Sequence, residues 1–117
     1  MKLDLSDYQV HLVLCPVDMR SGYRSLNAIA SACLNIDVDQ GRDCVVFMSS
    51  RGTVCKAIWS DAAGAATLVR TLRQGRFQRL LARAQDGNSV EISKQELQDF
   101  LDGAPIQRQK RGFFAKV

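Results

Sequence analysis

Hydrophobic and polar residues alternate over residues 8–15, a pattern typical of a β-strand, and Pro16 ends that strand. Apolar residues then recur every three to four positions over residues 23–33, which predicts an amphipathic helix ending near Leu34. We expect Asp18 to cap this helix, because its carboxylate can accept the unpaired amide hydrogens of the first turn.

Two apolar segments follow an acidic loop at residues 35–41. Residues 44–48 are short, apolar and partly β-branched, as in a buried strand, and residues 53–59 give a second strand. The Ser-Ser-Arg-Gly sequence at 49–52 is typical of a turn. The pattern therefore predicts a β-hairpin over residues 44–59.

The segment 61–75 fits two structures. A helix would be capped by Asp61 and ended by Gly75, and its alanine content favours this interpretation. The alternative is a strand over residues 65–71, folded back on the preceding strand by a turn at residues 61–64. Residues 77–84 fit a strand or a helix equally well.

The clearest signal is a helix start at Ser93. Asp86 and Gly87 predict a turn, and residues 89–92 a short strand paired with what precedes it. Ser93 and Glu96 then have the spacing of a capping box, with Ile92 and Leu97 placed for a hydrophobic staple. Gly103 ends the helix.

Together these elements predict an α+β fold. We expect one small domain over residues 1–106, in which an antiparallel, hairpin-containing sheet packs against two or three helices. Residues 107–117 are expected to form a basic C-terminal tail. A length of 117 residues suits a single core, and 46% apolar with 24% charged residues excludes collagen-like and wholly disordered classes.

The chain offers no sign of membrane insertion or export. No uncharged apolar run approaches the roughly 20 residues that span a bilayer, and Asp4 and Asp7 lie where a signal peptide is positively charged. We therefore expect a cytoplasmic protein without membrane partners, whose thiols are reduced. The four cysteines are spaced too widely for a C-x-x-C site, and we expect all of them to be buried. They are Cys15, Cys33, Cys44 and Cys55.

Charge is distributed unevenly along the chain, whose net charge is +4. Residues 1–65 carry six basic and seven acidic side chains, whereas residues 66–117 carry ten and five. Residues 66–85 contain five arginines and no acid. Because arginine binds phosphate oxygens with two parallel hydrogen bonds, this asymmetry is typical of a nucleic-acid-binding protein. The alternative is a solvated face that keeps a small protein in solution.

The candidate DNA-contacting residues follow from that asymmetry and from two basic residues upstream of it. They are Arg20, Lys56, Arg70, Arg73, Arg76, Arg79, Arg83, Arg108, Lys110 and Arg111. Arg20 has an equally plausible structural role as the partner of Asp18. Trp59 and Phe77 are expected in the core rather than as stacking platforms for bases.

Catalytic patterns are weak. The single histidine, His11, lies in a predicted strand with no nucleophile placed beside it by any motif, so we expect a structural imidazole. No glycine-rich phosphate loop occurs. Asp18 and Asp61 are the only carboxylates that we would nominate for a metal-dependent nuclease, and each already has a predicted capping or turn role. We expect no enzymatic activity, metal or cofactor.

Three segments occur in a fixed order that points to a family. They are PVDMR at residues 16–20 after a strand, CVVF at residues 44–47 before a hairpin, and the spacing of Lys56, Asp61, Gly64 and Leu72 before GRF at residues 75–77. Together they resemble the small accessory protein, called TnpB, of a bacterial insertion-sequence family that also encodes a separate large transposase. That protein is unrelated to the RNA-guided nuclease of the same name. The resemblance covers residues 8–103.

The resemblance implies a helper protein of transposition and brings no known catalytic residues with it. Our first hypothesis is that the arginine series and the basic tail bind DNA phosphates. The second is an interaction module that binds the transposase or another element-encoded protein without contacting DNA. The third is a small metal-dependent nuclease. The sequence leaves open which DNA is recognised, and it leaves open the oligomeric state.

Overall fold

The computed structural model describes residues 5–77 and 89–104. The predictions for residues 78–84, for the turn at 86–87 and for the tail at 107–117 lie outside this range. A 3-10 turn at Val38–Gln40 precedes the second strand. In chain order the other elements are β1 (Gln9–Val13), α1 (Tyr23–Leu34), β2 (Asp43–Met48), β3 (Val54–Asp61), β4 (Gly64–Thr71), β5 (Ser89–Ile92) and α2 (Lys94–Leu101).

The strands form one five-stranded sheet in the order β4-β3-β2-β1-β5. β1 and β2 are parallel, and every other neighbouring pair is antiparallel. The prediction of an antiparallel sheet is therefore wrong for the β1–β2 pair, because the long connection through α1 brings the chain back to start β2 in the direction of β1. β5 pairs antiparallel with β1, and the residues predicted to pair with it lie outside the described range.

The sheet separates two apolar clusters. One face packs under α2, whose Leu97, Phe100 and Leu101 meet alternate residues of the strands. The opposite face packs under α1 through Leu26 and Ala30. The α+β class is confirmed by this arrangement. The expectation that two aromatic side chains belong to the core is also confirmed, because Trp59 and Phe77 are buried.

Residues 64–71 form the strand β4, so the helix favoured for residues 61–75 is wrong and the alternative is correct. The Asp61 carboxylate accepts hydrogen bonds from the amides of Ala63, at 2.8 Å, and Gly64, at 3.2 Å. Gly64 takes a φ of +142°, which is accessible to glycine at little cost. The turn chemistry and pairing along the whole of β3 outweigh the modest helix propensity of the alanines.

α1 begins later than predicted. Its N-cap is Gly22, and no side chain caps it. Asp18 lies outside the helix, where its carboxylate accepts a 2.9 Å hydrogen bond from the Arg20 amide. The prediction that Asp18 caps α1 is therefore wrong, because its carboxylate is occupied by the residue two positions ahead.

α2 begins as predicted. The Ser93 hydroxyl accepts from the Glu96 amide at 3.1 Å, and the Glu96 carboxylate accepts from the Ser93 amide at 2.9 Å. Both donors would otherwise be unpaired at the first turn, so the capping box is complete. Ile92 and Leu97, the two predicted staple residues, are buried in the same apolar cluster.

The cysteines divide into two pairs. Cys44 and Cys55 are buried, as predicted, whereas Cys15 and Cys33 are exposed, so the prediction is wrong for these two. Cys15 lies just after β1, beyond the last paired residue of that strand, and Cys33 lies on the outer side of α1. Burial raises the pKa of the Cys44 and Cys55 thiols to about 12.

Within residues 5–77 and 89–104, no helix is long and apolar enough to cross a membrane.

Candidate nucleic-acid interface

Three exposed arginines lie on two segments that are hydrogen-bonded to each other at the turn joining β2 to β3. The Leu72 amide donates to the Thr53 carbonyl at 2.8 Å, and the Phe77 amide donates to the Gly52 carbonyl at 2.7 Å. These two bonds hold residues 72–77 against the 49–53 turn. The segment and the turn thereby bring together the three exposed residues that we call the arginine cluster, namely Arg51, Arg73 and Arg76.

The contact at Gly52 is close. A β-carbon built on Gly52 would lie 3.6 Å from Cβ of Arg76, and the glycine has a φ of +75°. The left-handed backbone there is accessible to glycine at little cost and directs the turn toward the 72–77 segment. No ion pair or hydrogen bond joins the side chains of the arginine cluster to another described residue.

Arg70 and Lys56 flank the arginine cluster on opposite faces of the sheet. Arg70 pairs with Cys55 and shares the α2 face with Leu68, since side chains alternate along a strand. Lys56 pairs with Val69 on the α1 face, and its Nζ donates to the Ser21 carbonyl at 2.9 Å. The structure therefore does not place these two predicted residues on one surface.

Arg20 is tied to a carboxylate. Its Nη2 lies 2.8 Å from Asp18 Oδ2, and its Nε lies 3.2 Å from each carboxylate oxygen. The hydrogen bonds from Arg20 lower the pKa of Asp18 to about 2. Because Asp18 is ionised at neutral pH, the charge of Arg20 is compensated, and the predicted structural role of Arg20 is the one that the structure shows.

Half of the predicted basic residues lie outside the described part of the chain. They are Arg79, Arg83, Arg108, Lys110 and Arg111. Conversely, the structure adds Arg51, which the sequence analysis assigned only to a turn. Its separation from Arg73 and Arg76 along the chain hides their proximity, and the signal that could have found it is an arginine at the tip of a predicted hairpin.

Four aspartates lie at the opposite end of the sheet. Asp43 starts β2 and Asp61 ends β3, while the Asp39 carbonyl accepts from the Ser60 hydroxyl at 3.3 Å. The Asp37 carboxylate accepts a 3.1 Å hydrogen bond from Asn27, which lowers the Asp37 pKa. Asp37, Asp39, Asp43 and Asp61 are called the acidic end below. Arg42 also lies there, beside Asp43.

Tyr23 forms a hydrogen bond at the acidic end. The Tyr23 hydroxyl donates to Asp39 at 2.6 Å. Burial, followed by that contact, raises the pKa of Tyr23 above its ordinary value. The hydroxyl therefore stays protonated at neutral pH and ties the first turn of α1 to the residues before β2.

The nominated nuclease carboxylates do not converge. Asp18 precedes α1 and is bound by Arg20, whereas Asp61 belongs to the turn at the acidic end. Among the described residues no three of His, Cys, Asp or Glu are grouped as ligands for one metal ion. His11 Nε2 lies 2.8 Å from Asp43 Oδ1, with both side chains about one-sixth exposed at 16% and 17%. This geometry fits the structural imidazole that we expected.

The fold and the arginine cluster define a small α+β protein with an exposed basic end. A family model described as IS66 Orf2-like protein matches residues 8–111, and the chain belongs to that family. It is thus related to the second open reading frame of an insertion-sequence element, which agrees with the resemblance seen in the sequence. No significant match was found among curated proteins or among solved structures.

Proposed function

We propose that this chain is a non-catalytic accessory protein of transposition that binds DNA phosphates through its arginine cluster. The observation that carries the proposal is the placement of Arg51, Arg73 and Arg76 on two segments hydrogen-bonded at one turn, where all three are exposed and have no ion pair to another described residue. Family membership supports the transposition context. In that context a separate transposase would act beside this chain.

The chemistry of the cluster fits a polyanion. Each guanidinium is permanently charged and presents a planar set of donors that matches two phosphate oxygens. Neutralising a phosphate releases condensed counterions, so such contacts strengthen binding most at low salt. Within one copy of the chain, the acidic end lies at the other end of the sheet, so its carboxylates do not cancel the field at the arginine cluster of that copy.

The arrangement of the two helices does not support recognition of base sequence. α1 is preceded by the Asp18–Arg20 pair, and α2 packs its apolar side against the sheet. Neither helix is joined to the other as in a helix-turn-helix unit, because several strands separate them in the chain. We therefore propose contacts to phosphates rather than to base edges.

The test is a titration of duplex DNA by fluorescence anisotropy at salt concentrations from about 50 to about 200 mM. The wild-type chain should bind more weakly as salt rises. Replacing Arg51, Arg73 and Arg76 together by Ala should lower the log–log salt slope by about 0.9 for each phosphate that the variant no longer neutralises. Affinity at the lowest salt should fall correspondingly.

The control removes the same charge elsewhere. Arg24, Arg42 and Lys94 are exposed and lie outside the arginine cluster, so replacing these three by Ala should leave most of the salt slope intact. Equal losses of affinity in the two triple variants would show a response to net charge alone and contradict the assignment of the site. Absence of DNA binding by the wild type at low salt would contradict the proposal and favour a purely protein-binding role.

A further inference from the structure

β4 forms one edge of the sheet, and its outer side is open with respect to every described strand. The pairing register shows which backbone groups point outward. The Leu72 amide bonds to the Thr53 carbonyl, and hydrogen-bonded pairs alternate along an antiparallel ladder. Residues 64, 66, 68 and 70 therefore bond to β3, while the amides and carbonyls of Ala65, Thr67, Val69 and Thr71 point away from it.

Among the residues that the structure describes, this edge lacks the features by which proteins usually prevent edge pairing. Natural edge strands carry lysine, proline or a bulge, or are short. β4 is eight residues long, pairs with β3 without interruption, and carries one charged residue, Arg70. Val69, at 52% exposure, is the exposed large hydrophobic residue among those the structure describes.

We propose that β4 is a dimerisation edge, where it pairs antiparallel with β4 of a second copy to give a continuous ten-stranded sheet. Pairing about a two-fold axis at Leu68 sets Thr67 opposite Val69 of the second copy, and Ala65 opposite Thr71. Every outward amide and carbonyl is then satisfied. The exposed Val69 then has a cross-strand partner on the α1 face.

Charge favours a second copy as the occupant. β4 runs from the acidic end toward the arginine cluster, so antiparallel pairing sets the basic end of each copy beside the acidic end of the other. In the register centred on Leu68, Arg73 comes opposite the turn that contains Asp61 of the second copy. The two Arg70 residues are kept apart, because each faces Ala66. Opposite charges beside the interface fix this orientation and register.

The inference shares Arg73 with the DNA-binding proposal, but the mass of the chain is measured without DNA, so the two proposals are tested separately. At the two-fold axis Leu68 faces itself in a non-hydrogen-bonded pair, whose Cα atoms are about 4.5 Å apart. That separation lies within the range of about 4.4 to 6.8 Å that a disulfide spans. Ala65 lies three residues from the axis and is far from Ala65 of the second copy.

The experiment begins with the wild-type chain of 13.0 kDa, whose mass in solution by light scattering should be twice that value. In a background with Cys15→Ser and Cys33→Ser, which removes the exposed thiols, Leu68→Cys should form a disulfide-linked dimer under mild oxidation. Ala65→Cys should not. A single-chain mass at every concentration, or equal crosslinking of the two variants, would overturn the proposal.

A second pair of variants tests the proposed dimer in case Leu68→Cys does not fold. Thr67→Lys with Val69→Lys puts two like charges on the edge and should convert the dimer to a single chain. Ser25→Lys with Ala32→Lys adds the same charge on the exposed side of α1 and should leave the dimer intact. Dimers of unchanged stability in the edge variant would overturn the proposal.

Discussion

At the scale of single residues, the sequence shows which side chains are arginine, and the structure shows which of them have a neutralised charge. Arg20 belongs to the segment at residues 16–20 that resembles the family, yet its Nε and Nη2 both donate to the Asp18 carboxylate. Arg51, Arg73 and Arg76 have no such described partner. The difference depends on backbone conformation, because a carboxylate two residues away reaches the guanidinium only in a turned segment.

Asp18→Asn should strengthen DNA binding. The pKa of Asp18 is held at about 2 by Arg20, so the carboxylate is charged at every pH above that value. It therefore opposes a phosphate contact by Arg20 throughout the neutral range. The asparagine oxygen can still accept from the Arg20 amide, while the negative charge is gone. The salt slope should rise by up to about 0.9, the value for one additional phosphate contact.

The matched control for this change is Asp7→Asn, which removes one exposed carboxylate before β1, at the end of the sheet away from the arginine cluster. It should leave the salt slope unchanged. An identical rise in affinity in both variants would mean that only net charge matters. The Asp18–Arg20 pair also makes folding depend on pH. Because the pair lowers the pKa of Asp18, its contribution to the free energy of unfolding is present above the ordinary pKa of 3.8 and is lost as pH falls toward about 2.

The two pairs of thiols should react at different rates. Burial raises the pKa of Cys44 and Cys55 to about 12, so almost no thiolate forms at neutral pH, and the sulfur atoms are inaccessible. Cys15 and Cys33 are exposed. A thiol reagent followed by absorbance should label two groups quickly in the folded chain and all four in denaturant. Rapid labelling of four groups under native conditions would contradict the burial of Cys44 and Cys55.

At the scale of elements, structure that depends on bonds within one turn follows from the sequence, whereas structure that depends on pairing with another segment does not. The Ser93–Glu96 capping box was predictable because both bonds form within one turn. β4 was mistaken for a helix because alanine propensity is a weak term. The decisive contribution is the long pairing with β3, which involves another segment of the chain and is supported by the Asp61 turn. The sequence signal for this turn is Asp61, whose carboxylate can accept backbone amides, followed by Gly64 three residues later.

Ser93→Ala should lower the free energy of unfolding by about 1 kcal/mol, the usual cost of removing an N-cap hydroxyl. The Glu96 amide loses its acceptor, and α2 carries Leu97, Phe100 and Leu101 onto the sheet. Urea denaturation measures the change. Ser25→Ala, on the exposed side of α1, is the control and should alter stability little. Equal stability of the two variants would mean that the capping box contributes nothing to folding.

At the scale of the whole molecule, neither the sheet order nor the arginine cluster can be predicted from local sequence patterns. The α+β class follows from local patterns, but the parallel pairing of β1 with β2 and the place of β5 beside β1 join segments far apart in the chain. The arginine cluster has the same origin, because Arg51 and Arg73 meet only after β3 and β4 are in place. The excess of basic residues was visible in the sequence, whereas its separation from the acidic end was not.

The position of β1 also sets an order of assembly. β2, β3 and β4 follow one another through short turns, so these three strands can close with little loss of chain entropy. β1 is made before them, yet its partners are residues 43–46 on one side and 89–92 on the other. Until both partner segments are present, β1 cannot form its two strand pairings. Its insertion joins the earliest and latest segments of the described sheet, and we expect this non-local step to limit the speed of folding.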